Sequence, residues 1–225
     1  MFDTHIEIRV PSDFVNVQNE IPEIKTDIRY FNGNNFTGRK INGYNTPVCL
    51  MTKSTTEALK KVVHILYPFG LTLKVYDCYR PQSAVNDFIS WSQDVHNQSM
   101  KTIFYPDVEK SKLFKEGYIA KKSAHSRGST VDLTIVPVNS NDYSKELDFG
   151  SYFDFFDQKS AFLYQNLPEQ AKANRLLLNL LMTSAGFNGY EKEWWHFTLI
   201  NEPYPNTYFD FPVNNLHMKG TPREK

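Results

Sequence analysis

Glycine and cysteine are both scarce in this chain, with 10 of the first and 2 of the second. None of the glycines forms a Gly-rich phosphate loop, which argues against a nucleotide-binding parallel α/β fold. The cysteines, Cys49 and Cys78, form neither a CxxC pair nor a spacing that reads as a thiolate metal site. Two free, buried thiols are expected in preference to a disulfide. No apolar run approaches the roughly 20 residues needed to span a bilayer. The opening MFDTHIEIRVPSDF lacks the basic start and apolar core of a secretory signal. These absences point to a soluble, cytoplasmic protein, or to a periplasmic or secreted one if a leader has been removed. Neither sign of charge is in excess, with 25 Lys+Arg against 25 Asp+Glu. A broad basic field for nucleic acid or anionic lipid is therefore excluded, and a small polar substrate is the default partner. What is present is 225 residues, 40% hydrophobic and 15% aromatic, enough to bury the core of a single domain spanning 1–225.

Residues 1–50 are rich in Asn, Gly, Pro and aromatics and predict irregular structure or short strands. Ser54-x-x-Glu57 reads as a capping box, and Ala58, Leu59, Val62, Val63 and Leu66 follow at helical spacing up to Pro68 and Gly70. LTLKVY at 71–76 alternates like a half-buried strand with Leu71, Leu73 and Val75 on one face. Pro81 suits the first turn of a helix buried through Val85, Phe88 and Ile89, which puts Arg80 at a strand-to-helix junction. A polar loop over 97–122 leads to Gly128 and a β-branched strand over 130–136. The aromatics of SYFDFFD at 151–157 are expected to pack inward. A helix with Ala173, Leu176, Leu177, Leu180 and Leu181 as its apolar stripe then ends at Gly186, before a last strand over 191–200. With long, irregular connections, an α+β domain with a mainly antiparallel sheet flanked by helices is expected.

Of six histidines, His5, His64, His96 and His217 have no partner in sequence and read as structural or exposed. His125 is followed by Asp132 across a glycine turn, which lets a loop residue and a strand residue converge. His196 is preceded by Glu193 within a run of large apolar side chains. A buried carboxylate beside a buried imidazole is costly unless paired or metal-bound. Two imidazoles and a carboxylate would suit catalytic zinc, with Glu193 left over to take a proton from water. Residues three apart on a regular strand face opposite ways, so Glu193 must precede the strand or sit at a bulge. From pattern alone, a metal site and a structural histidine with salt-bridged carboxylates both remain open.

SAHSRGSTVDLT together with EWWH resembles the zinc signature of the D-Ala-D-Ala dipeptidases, peptidase family M15. YFNGNNFTG, YDCYRPQSAV, GYIAKKSAHSRGS, FDF and EPYPNTYFDFPV resemble family segments in the same order, over about residues 27–213. The resemblance implies the fold shared by zinc D,D-peptidases and the hedgehog signalling domain, and one Zn2+ per chain held by His125, Asp132 and His196. It implies Glu193 as general base and Arg80 as stabiliser of the developing oxyanion. Asp154 would bind the free amino group of the dipeptide, with Ser123 and Tyr30 at other substrate-contacting positions. The implied partner is a small D,D-dipeptide cut to two D-alanines, with no nucleic acid or membrane involved. A D,D-carboxypeptidase or cell-wall endopeptidase on the same fold, and a non-catalytic zinc-binding module, are the alternatives.

Overall fold

In the computed structural model, residues 5–139 and 145–215 are described. The side chain of His5, all of His217 and the tail beyond 215 lie outside them. The turn-rich start forms short pieces: β1 (His5–Glu7), β2 (Phe14–Asn16), α1 (Val17–Glu20), β3 (Lys25–Thr26) and β4 (Leu50–Thr52). Helix α2 (Lys53–Leu66) buries Ala58, Leu59, Val62, Val63 and Leu66, as its spacing requires. It starts directly from β4 with Thr52 as its cap, so Ser54 lies inside the helix and the expected capping box is not its start. There follow β5 (Leu71–Asp77), α3 (Gln82–Gln93), α4 (Lys101–Phe104) and β6 (Thr130–Pro137). The chain ends on α5 (Glu169–Ser184), β7 (Phe187–Tyr190), β8 (Glu193–Leu199) and β9 (Thr207–Phe209).

The main sheet has the order β3-β5-β6-β8-β7. Its β5, β6, β8 and β7 pair antiparallel, whereas β3 runs parallel to β5, and in a separate pair β1 runs parallel to β9. The architecture is thus mixed helix and strand with mixed sheets, which corrects the expectation of a mainly antiparallel one. The parallel pairs arise because the N-terminal segment wraps the sheet and contributes edge strands from a distance, which no local periodicity encodes.

Alternation along β5 and β6 sorts the sheet into two faces. Leu71 and Leu73 are paired with Pro137 and Ile135, and Val75 with Leu133. That apolar face is backed by α2 and α5. Lys74, paired with Thr134, belongs to the opposite face. β5 is not half-buried as its alternation suggests, because that second face is covered as well. Lys74 is ion-paired with Glu146, and Tyr76 stacks on Phe153 at 4.6 Å. A bulge between Val75 and Asp77 shifts the register, so Asp77 falls opposite Asp132 on the polar face.

Two further expectations are corrected. In α5 the leucines Leu176, Leu177 and Leu180 are exposed, and the buried residues are Ala171, Asn174, Arg175, Leu178 and Met182. Polar contacts override the apolar stripe. Arg175 donates to the carbonyls of Phe149 (2.7 Å), Ala161 (2.5 Å) and Lys159 (2.8 Å), and Asn174 donates to Asp148 O (2.7 Å). These bonds satisfy the buried guanidinium and fasten the 148–161 loop to the helix. Within that loop Phe153 and Phe156 pack inward, but Tyr152 is exposed.

The cysteines are not free. Cys49 and Cys78 form a disulfide with Cα atoms 5.4 Å apart. The amide of Tyr79 donates to Leu50 O at 3.0 Å, laying the end of β5 beside the start of β4. That contact brings together residues 29 apart in sequence, which spacing alone does not reveal.

Candidate metal centre and active site

Three neighbouring strands present one acidic or imidazole side chain each at the same level. Asp77 on β5 pairs with Asp132 on β6, and Asp132 pairs with His196 on β8. Paired residues share a face, so the three converge. His125 arrives from the 3-10 turn Ala124–Arg127, which Ser123 caps by accepting from the His125 amide at 3.3 Å. The turn ends at Gly128 with φ 78°, where a Cβ would lie 2.2 Å from Cζ of Phe14. Only glycine fits that conformation and that gap.

The Nδ1 of His125 donates to Cys78 O at 2.7 Å, which leaves the Nε2 lone pair facing inward. That Nε2 stands 3.3 Å from His196 Nδ1 and 3.2 Å from Asp132 Oδ2, and Asp132 Oδ1 stands 3.0 Å from His196 Nδ1. Donor atoms bound at about 2.0–2.1 Å around a tetrahedral zinc are about 3.3 Å apart, so these separations fit such an ion. Despite its proximity to His196, Oδ1 of Asp132 is buried without a hydrogen bond. A buried carboxylate oxygen left so is costly unless a cation completes it. Burial opposes ionisation of Asp132, but the two imidazoles outweigh it and hold the carboxyl well below the usual range. His125, Asp132 and His196 are the group among the described residues whose ligand atoms could hold a metal, all within 4.8 Å of one another.

Glu193 opens β8, and the β7–β8 register shifts between Gly189 and Tyr190, which pairs with Glu193. The irregularity lets Glu193 and His196 approach one another, Oε2 to Nδ1 at 3.6 Å, although they are three apart. Burial pushes the Glu193 carboxyl up to about 7, against the opposing pull of His196. Arg80 is held by Asp77, with Nε at 2.9 Å and Nη2 at 2.8 Å from Oδ2, and its guanidinium lies 4.9 Å from the Tyr30 ring centre. Asp154 is buried at φ 62° and accepts from the Tyr30 hydroxyl at 2.9 Å. Burial and then the charge of Asp132 push its carboxyl well above the ordinary carboxylate range.

All eight residues picked out in the sequence (Tyr30, Arg80, Ser123, His125, Asp132, Asp154, Glu193 and His196) line one cavity of about 330 Å³. Asp77 is a further residue of the site that the sequence motifs do not mark. It is fully buried, accepts from Tyr44 at 2.5 Å and lies 3.5 Å from His125 Nδ1, so it braces both Arg80 and His125. An acid closing a buried strand three residues before an arginine was the available signal.

A family profile described as D-ala-D-ala dipeptidase, peptidase M15, matches residues 11–214. The chain belongs to that family. The match takes in residues 11–26, where the motifs alone gave no pattern. Among curated family relatives, the D-alanyl-D-alanine dipeptidase of Enterococcus faecium is 37% identical over 190 residues, covering 84% of this chain and 93% of its own. That of Streptomyces coelicolor is 37% identical over 201 residues, covering 89% and 98%, and that of Escherichia coli is 34% identical over 188 residues, covering 84% and 85%. Among solved structures, VanY, a vancomycin-resistance D,D-pentapeptidase in complex with Zn(II), aligns over 72% of this chain and 79% of its own. The TM-score is 0.40 at 13% identity.

Proposed function

We propose that this M15 dipeptidase hydrolyses D-alanyl-D-alanine to two D-alanines, as a single domain holding one Zn2+ through His125, Asp132 and His196. The observation that carries the reading is the convergence of three metal-type donors, with one buried carboxylate oxygen unsatisfied, beside a carboxyl that is not among them. Zinc bound there would supply Lewis acidity and bring the pKa of a water to about 7.

Glu193, a largely buried carboxyl in the cavity beside His196 and outside the three-donor set, would take a proton from the attacking water and return it to the leaving amine. Arg80 is aimed into the cavity by Asp77 and stabilises negative charge growing on the scissile carbonyl oxygen. Asp154 receives the substrate ammonium, with Tyr30 holding Oδ2 in place, and Ser123 contacts the rest of the dipeptide. An acid at that point selects a dipeptide, because a longer or blocked chain brings no ammonium and leaves the buried acid without its partner. Glu193 and Arg80 in the cavity favour a peptidase over a binding module.

The Cys49–Cys78 bond bears on location. Such cross-links persist in oxidising compartments, so of the two locations expected from sequence we favour the periplasmic or secreted one.

The test is release of D-alanine from D-Ala-D-Ala with and without chelator, alongside the zinc content of variants. Glu193→Gln should keep zinc and lose turnover, whereas His125→Ala and His196→Ala should lose zinc. Full turnover by folded Glu193→Gln would overturn its role as base.

A further inference from the structure

The disulfide stands next to the metal centre, and the link between them is a main-chain atom. The Cys78 carbonyl is the acceptor for Nδ1 of His125 at 2.7 Å. The contact is returned nearby, where the Arg80 amide donates to His125 O at 3.3 Å. Residues 78–80 therefore orient a metal-facing imidazole, fixing both its tautomer and its plane. Outer partners of this kind are commonly worth about 10–100-fold in metal affinity.

A carbonyl can do this only while its peptide is held still. Peptide 78 follows the end of β5, just past the bulge that shifts Asp77 in register. Beyond it, Tyr79 is tied by its amide to Leu50 O and by its hydroxyl to Phe211 O at 2.8 Å. Cys78 itself is tied covalently to Cys49, the residue before β4, and both are buried. Cys49 is anchored in turn, its carbonyl accepting from the Val17 amide at 2.9 Å. The cross-link thus joins the β2–β4 pair to the end of β5 at the residue that orients His125.

We propose that the Cys49–Cys78 disulfide is a positioning device for the metal centre, holding the Cys78 carbonyl against His125 so that the oxidised protein keeps zinc more tightly than the reduced one. The proposal rests on His125 being a metal ligand. Reduction by a dithiol would pass two electrons and two protons to the sulfurs, giving two thiols while the reductant closes its own disulfide. It would remove the covalent tether on that peptide without altering any ligand.

The experiment compares wild-type protein with Cys49→Ala/Cys78→Ala in zinc competition against a chromophoric chelator, with circular dichroism confirming the fold. The expected result is about 10-fold or greater weakening of zinc affinity in the folded double variant, with faster exchange of the His125 Nδ1 proton by NMR. A purely structural staple would lower the melting temperature and leave zinc affinity unchanged, and that outcome overturns the proposal. Two titratable thiols in denatured, unreduced wild type would overturn it as well. Should the double variant not fold, wild type is treated with dithiol in excess chelator. Zinc release in step with thiol appearance is expected, and retention of zinc with both thiols free refutes the link. If wild type takes up no zinc, or His125→Ala takes up as much, the metal reading fails instead.

Discussion

Asp154→Asn is the substitution that isolates how the free amino group is recognised. Asparagine is chosen because residue 154 has φ 62°, a left-handed conformation that Asn tolerates and most side chains do not. It keeps the size of the side chain and a partner for the Tyr30 hydroxyl, and removes only the charge. Losing one partner of a buried charge pair costs about 2–5 kcal/mol. Here the lower part of that range applies, because burial and the nearby Asp132 hold the Asp154 carboxyl well above the usual range. Part of the ammonium's attraction is therefore used in ionising it. A cost of about 2–3 kcal/mol corresponds to a fall in kcat/KM of about 30- to 150-fold. The assay is initial-rate release of D-alanine from free and from N-acetylated D-Ala-D-Ala, at equal zinc content. Wild type should cleave only the free form efficiently, and in the variant the two rates should converge. Free-dipeptide activity near that of wild type, with the blocked form still rejected, would refute ammonium recognition at Asp154.

Asp77→Asn should lower kcat with little change in KM, because Arg80 loses its two charge-assisted bonds. It should also cost about 3–5 kcal/mol in urea unfolding, since breaking a buried pair strands the guanidinium. Gly128→Ala should destabilise by about 2–4 kcal/mol, from left-handed strain and overpacking against Phe14, and should weaken zinc binding because the turn carries His125. Asp87 provides a pH test away from the site. Burial raises its carboxyl, but the Arg39 fork at 2.7 and 2.8 Å and the Asn42 amide at 2.9 Å outweigh burial and lower it. A folded pKa below the unfolded one means stabilisation that is complete above about pH 4 and lost as pH falls through the folded value. The stability gap between wild type and Asp87→Asn should therefore be open at pH 7 and close in acid; a gap independent of pH would refute this.

The residues that converge on the cavity are legible in sequence because the family's motifs sit on consecutive residues and each contains its own chemistry. His125 and Asp132 are joined by a single glycine turn, and Glu193 and His196 by one strand start. The stripe of α2 was legible for a related reason, since its buried face is wholly apolar and repeats at helical spacing. Two features were hidden because distant segments create them. The buried face of α5 departs from its apolar stripe because Arg175 and Asn174 are buried against carbonyls of a loop 14–26 residues away. The disulfide is not legible from spacing because only the meeting of β4 with the end of β5 brings Cys49 to Cys78. Asp77 combined both problems, since an unpaired acid at a strand end gains its meaning from a bulge and from Tyr44, 33 positions earlier.

The guanidinium of Arg175, plugged into three carbonyls of the 148–161 loop, makes the stretch that carries Asp154 a fixed wall of the cavity and not a flap. Opening it would strip several buried hydrogen bonds at once, so that wall keeps its shape whether or not anything fills the cavity. Elsewhere the cavity is lined by Gly117, Tyr118, Ile119, Ala120 and Lys122.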